Sequence, residues 1–144
     1  MAIVQALANT FKDNLMATTA NLEANSLKVA LYDNTATLSS ATTVYDTANE
    51  VTGTNYTAGG EAMTGMAVTL DGSTAIFDAD NVSWANATIS AQAAVIYNSS
   101  TITGLTTNAA IAVLDFGEVK TSTNGTFEIQ FPNANASTAL IRIT

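Results

Sequence analysis

Asp78 and Asp80, two positions apart in "FDADN" with Asn81 beside them, are the closest approach to a metal-ligand set in the sequence. Oxygen donors at alternate positions suit a hard cation such as calcium, but a calcium loop also needs a bidentate carboxylate and a tight glycine turn close by. Neither follows, so Asp80 or Asn81 reads better as a turn residue that bonds nearby backbone groups. In "AGGEAMTG" four residues separate Gly60 from Gly65, the spacing of a phosphate loop. The Lys and Ser/Thr that should come next are replaced by Met66 and Ala67, so a cluster of glycine turns is expected there and phosphate binding is not. The chain's 12 carboxylates could include a glycoside-cleaving pair, but no spacing sets two of them across a cleft and no cluster of aromatics offers a sugar platform. The chain has no Cys and no His. That removes disulfides, thiolate nucleophiles, Cys-type zinc sites and the commonest general base and metal ligand. The expectation is a protein that is not an enzyme and carries no cofactor.

The charge balance narrows the partners. The net charge is −8, and the only cations are Lys12, Lys28, Lys120 and Arg142. Phosphate-backbone binding needs clustered Lys and Arg, so neither nucleic acid nor an anionic membrane surface is an expected partner. The N-terminal run has no basic residue before Lys12 and is too short and interrupted for a signal peptide or a span, so synthesis in a cytoplasm without export is expected. Sequons such as Asn55-Tyr56-Thr57 and Asn86-Ala87-Thr88 are what so much Asn, Ser and Thr produces by chance.

The elements that would position these residues follow from periodicity. A chain of 144 residues fits a single domain, 1–144. Ile3, Leu7, Phe11 and Leu15 recur every fourth residue, which predicts an amphipathic helix over 2–18. From residue 26 onward the pattern is β. "LKVALYD" alternates as a half-buried strand, and a long polar loop then runs over 33–60, with a short helical turn expected at Thr43 to Ala48. "AMTGMAVTL" and "STAIFDA" form a hairpin across Asp71-Gly72. "NVSWANATI" reads as a turn anchored by Trp84, and "SAQAAVIYN" as a buried strand. "AAIAVLDFG" and "TFEIQFP" are two strands with Asn124-Gly125 as a hairpin signal between them; Pro132 ends the second, and "TALIRIT" closes the chain. The expected fold is mainly β, an antiparallel β-sandwich or barrel of about seven or eight short strands with one N-terminal α-helix.

The ordered series "LKVAL", "YTAGG", "FDADNVSW", "AVIY", "DFG" and "NGTFEIQF" covers nearly the whole chain. In that order it resembles a family of small tailed-bacteriophage virion proteins of the head decoration or cement type. One departure is Gln92-Ala93, standing before "AVIY" where the family often has Arg-Gly. The resemblance implies a structural role at the capsid surface of the virion, bound to the outer face of the head and bridging major capsid subunits. The partner would be the major capsid protein, with self-association, for example as a trimer, compatible with that role. The docking residues expected on this reading are Ile3, Leu7 and Phe11 from the N-terminal helix, with Leu38, Val44, Tyr45 and Tyr56 from the long loop. The alternatives are a head-fibre, neck or tail component, or a β-sandwich recognition module for host-surface glycan. The last of these predicts an exposed aromatic among Tyr45, Tyr56, Trp84 and Tyr97.

Overall fold

The computed structural model describes residues 2–144. Its elements are β1 (Ala6–Leu7), α1 (Asn9–Met16), β2 (Leu27–Tyr32), β3 (Glu61–Ala62), β4 (Ala67–Asp71), β5 (Thr74–Asp78), β6 (Val82–Asn98), β7 (Ala109–Ile129) and β8 (Ile141–Ile143). They form a five-stranded sheet in the order β1-β7-β6-β2-β3 and a three-stranded sheet in the order β4-β5-β8. Every strand pairing within the two sheets is antiparallel. The expected mainly β architecture is therefore present, as two sheets consistent with a sandwich. The core lies under β2, β6 and the first half of β7, where Val29, Leu31, Val95, Ile96 and Val113 are fully shielded from water. These runs are apolar on both faces because the strands are covered on both sides.

The N-terminal helix is much shorter than 2–18. α1 spans only Asn9–Met16, behind an extended Ala8. The residues before it are drawn into β pairing: Ile3 bridges Leu38, and Ala6 and Leu7 pair with Val113 and Ala112 on the open edge of β7. A spacing of four cannot distinguish one long helix from an arm followed by two helical turns, and here the free sheet edge takes the arm. α1 has no side-chain N-cap, no acid in its first turn and no base in its last. Intrinsic helix signals contribute little, and burial of Phe11 holds it in place.

The hairpin at Asp71-Gly72 forms as expected, with Asp71 paired to Thr74. Gly72 alone supplies the positive φ, 63°, at the first position of the two-residue loop, as a type II′ turn favours. A Cβ there would meet nothing within 4 Å. Gly72→Ala is thus expected to destabilise only through backbone strain, by about 1 kcal/mol, read as a small drop in urea midpoint with an unchanged m-value.

The second half of the chain departs most from expectation. Trp84 is not in a turn, and Asn124-Gly125 does not reverse the chain: both sit inside the long β6–β7 ribbon, 17 and 21 residues long. The rings of Phe116 and Phe127 are 6.2 Å apart although eleven positions separate them on β7. A straight strand of that length would hold them about 36 Å apart, so the ribbon must fold back on itself. Register breaks accomplish this. Nine steps on β6, from Trp84 to Ala93, lie opposite twelve on β7, from Asp115 to Phe127. Extra residues on one strand bend and twist the pair, which is how strands pass from one layer of a sandwich to the next. Asn86 and Asn124 take positive φ within this region, at 51° and 49°. The Asn-Gly signal at 124–125 was sound as a demand for left-handed backbone, but the demand is met by a bulge.

Candidate docking surface

Residues 33–60 contain no helix or strand segment, and the helical turn expected at Thr43 to Ala48 is absent. Instead Val44 bridges Ala109, the Tyr45 N–H donates to the Asn108 carbonyl at 2.9 Å, and the Ala110 N–H donates to the Thr43 carbonyl at 2.9 Å. The N-terminal arm adds to the same face: Val4 N–H donates to the Leu38 carbonyl, Leu38 N–H to the Ala2 carbonyl and Asn9 N–H to the Ser40 carbonyl, at 2.8–2.9 Å. Arm and loop, far apart in sequence, become one continuous surface. Within it the loop, with Tyr32 of β2, lines a hollow of about 510 Å³ whose wall includes Thr37, Ser39, Thr42 and Thr43.

The far half of the loop is pinned by a single carboxylate. Glu50 Oε2 accepts from the Tyr45 hydroxyl at 2.7 Å, while Oε1 accepts from the Tyr56 hydroxyl at 2.6 Å and from the Gly59 N–H at 2.7 Å. The other two tyrosines close the cluster. Tyr32 donates to the Asp46 carbonyl at 2.6 Å and Tyr97 to the Gly59 carbonyl at 2.7 Å, and the Tyr45 and Tyr97 rings stack at 4.7 Å. Tyr56 also accepts the Leu31 N–H at 2.9 Å, tying the cluster to β2. All four tyrosines of the chain therefore converge on the segment from Tyr45 to Gly60. Gly60 ends it with φ 75°, so close to β2 that a Cβ would lie 1.7 Å from the Val29 carbonyl oxygen.

Burial pushes the Tyr32, Tyr45 and Tyr56 phenols well above their ordinary value. For Tyr45 and Tyr56 the hydrogen bond to the Glu50 carboxylate is the next cause, since an ionised phenol could not donate it. Tyr97 is raised by burial first and by the Glu50 charge second. The cluster therefore keeps its phenols protonated as donors. It holds a loop.

The structure brings together most of the residues expected to dock a partner, but hides several. Phe11 and Leu38 are buried, while Ile3, Leu7, Val44, Tyr45 and Tyr56 are half-buried and packed or bonded within the protein. Although the 33–60 segment is polar overall, three of its own residues, Ala36, Leu38 and Val51, are buried in the core. What the surface presents is its polar rim and Val4, which is exposed. The Asp80 carboxylate accepts the Thr64 hydroxyl at 3.0 Å beneath Gly65, and among the described residues no three acidic, His or Cys side chains gather as metal ligands. The Asn81 side chain accepts the Phe131 N–H at 2.9 Å. Glu50, the centre of the cluster, was missed in the sequence. Its partners Tyr45, Tyr56 and Gly59 are near it in sequence, but nothing in the pattern of that polar run singles out one carboxylate as their shared acceptor.

Fold and surface together define an antiparallel two-sheet protein with a long loop held rigid from within. No family model, curated protein or solved structure matches the chain.

Proposed function

We propose that this is a structural virion protein of a tailed bacteriophage, a decoration or cement protein that docks on the outer face of the head through the N-terminal arm and the 33–60 loop and bridges major capsid subunits. The observation that carries the reading is that a polar, irregular segment is fixed, through Glu50 within it and through bonds to β2, β6, β7 and the N-terminal arm, into one preorganised surface. Preorganisation lowers the ordering cost of docking. Repetition over a lattice then multiplies weak single contacts through effective concentration. A net charge of −8 suits a basic patch on the partner. No helix among the described residues is long and apolar enough to cross a membrane.

The glycan-binding alternative loses support. Trp84 and Tyr97 are buried, and the Tyr45 and Tyr56 hydroxyls are committed to Glu50. None of the four stands fully exposed, as a sugar platform would.

The test is copy number per particle, by quantitative mass spectrometry of purified virions against the major capsid protein. Copies on the order of hundreds, as repetition on a lattice requires, support decoration. About three to twelve, as expected of closed rings, would move the protein to the neck or tail, and none would remove it from the particle.

A further inference from the structure

Three of the large apolar side chains left in water, Val68 (44% exposed), Leu70 (75%) and Ile143 (50%), lie on the small sheet. The pairings Val68 to Phe77 to Ile141 and Leu70 to Ala75 to Ile143 put all three on one face of it. The Phe77 and Ile141 row is buried in the core, whereas the Leu70 and Ile143 row overhangs it. Val68 and Ile143 border an apolar groove of about 410 Å³, with Phe11, Leu15, Leu22 and Phe77 also in its wall and Leu70 just outside it. Among the described residues Glu23 is the only charged one lining it. On a surface otherwise rich in hydroxyls and amides, such a gathering marks a contact site.

The edge beside the groove is open as well. β4 is an outer strand. The Val68 N–H points away from β5 and donates to Glu23 Oε1 at 2.8 Å. By antiparallel alternation Leu70 faces the same way, so its N–H and the Val68 and Leu70 carbonyls form a short row ready to pair. Acids mark both ends of that row: Glu23 at Val68, and Asp71 one residue beyond Leu70.

We propose that the β4 edge and its apolar groove bind an extended segment of another protein by strand addition, a segment with alternating apolar residues flanked by Lys or Arg. The partner's backbone pairs at Val68 and Leu70, its inward side chains fill the groove beside Leu70 and Ile143, and its cations meet Glu23 and Asp71. Main-chain bonds supply the affinity and the alternate side chains the specificity. Charge decides between occupants. A second copy of β4 pairing antiparallel about Thr69 would set Ala67 opposite the other copy's Asp71, bringing that carboxylate towards Glu23, and like charges across a strand pair are destabilising. A cationic strand meets the opposite condition and releases Glu23 from the Val68 N–H into an ion pair. The proposal concerns a different face from the arm and loop, and it stands whether or not the protein belongs to a virion.

The test uses the intact chain and an acetylated, amidated heptapeptide of valine alternating with threonine and ending in lysine at both ends, with a glutamate-ended peptide as control. Nuclear magnetic resonance titration is expected to show shifts confined to β4, the groove and Glu23, with slowed exchange of the Leu70 amide. Leu70→Pro, which removes the outward donor, is expected to weaken binding at least about tenfold. Leu70→Lys, at a site exposed enough to leave folding intact, is expected to do the same by repelling the lysines, and Glu23→Gln to flatten the salt dependence. Equal binding of the glutamate-ended peptide, shifts elsewhere, or no shift at all would overturn the proposal. So would self-association in sedimentation of the free protein that either Leu70 variant abolishes, because the occupant would then be a second copy.

Discussion

Trp84→Ala is expected to lower the unfolding free energy by about 3–5 kcal/mol, enough to unfold many domains of this size at moderate temperature. Trp84 is 2% exposed and lies where the bent ribbon doubles over. Its ring meets Tyr56 from the long loop at 5.9 Å and Phe127 of β7, edge-on, at 6.1 Å. Removing it takes away the contact that joins loop, β6 and β7, and a corner built on register breaks has little freedom to collapse into the void. Trp84→Phe separates volume from chemistry. The indole Nε1 is buried with no hydrogen-bond partner in the protein, a situation that itself costs about 1–3 kcal/mol. Phenylalanine loses some packing but also removes the orphaned donor, so its loss is expected to be less than half that of alanine. Urea denaturation followed by circular dichroism measures both. Similar losses for the two variants would mean that the nitrogen is satisfied and the indole as a whole is required.

That corner also shows what the sequence could not reveal. Trp84 reads as an apolar anchor and is buried, alternation marks "LKVALYD" as a strand, "SAQAAVIYN" reads as a buried one, and both strands form. These signals are local, a few residues long. Whether two strands are one bent ribbon or two separate elements depends on what pairs across from them, and Asn124-Gly125 meets a positive-φ demand equally well in a hairpin or in a bulge. The N-terminus fails for the same reason. Ile3 and Leu7 fit a helix until the free edge of β7 and the backbone of Leu38 offer them partners. The surface was half legible. Composition identified 33–60 as an irregular polar segment, but its attachment depends on Glu50 being the carboxylate that meets Tyr45, Tyr56 and Gly59, and on bonds to Leu31, Tyr97 and Asn108 outside the segment.

That attachment gives the second large expected effect, which has a mutational and a pH form. Glu50→Ala leaves the Tyr45 and Tyr56 hydroxyls and the Gly59 N–H without their acceptor. At about 1–3 kcal/mol for each buried donor left unpaired, discounted because the site is only half-buried, the expected loss is about 2–4 kcal/mol. Glu50→Gln keeps one acceptor oxygen and is expected to cost about half as much. The same cluster makes the protein sensitive to alkali. The folded-state pKa values of Tyr32 and Tyr56 are raised, chiefly by burial. In the unfolded chain these phenols ionise near pH 10, while the folded protein keeps them protonated, so above that pH the unfolded state binds fewer protons. The stability they contribute is fully present below pH 10 and is lost as pH rises towards their folded values, by at most about 1.4 kcal/mol per pH unit for each phenol. Urea midpoints taken from pH 8 to 11 measure the slope, and proteolysis within 45–60 reports whether the loop is released first. Glu50→Ala should make that loop cleavable at neutral pH. It should also lower the pH at which Tyr56 ionises in the folded protein by more than it does for Tyr32, whose hydroxyl donates to the Asp46 carbonyl and which feels Glu50 only through its charge. An unchanged Tyr56 contribution would assign its shift to burial alone, and an intact loop in Glu50→Ala would show that stacking of Tyr45 on Tyr97 is sufficient to hold it.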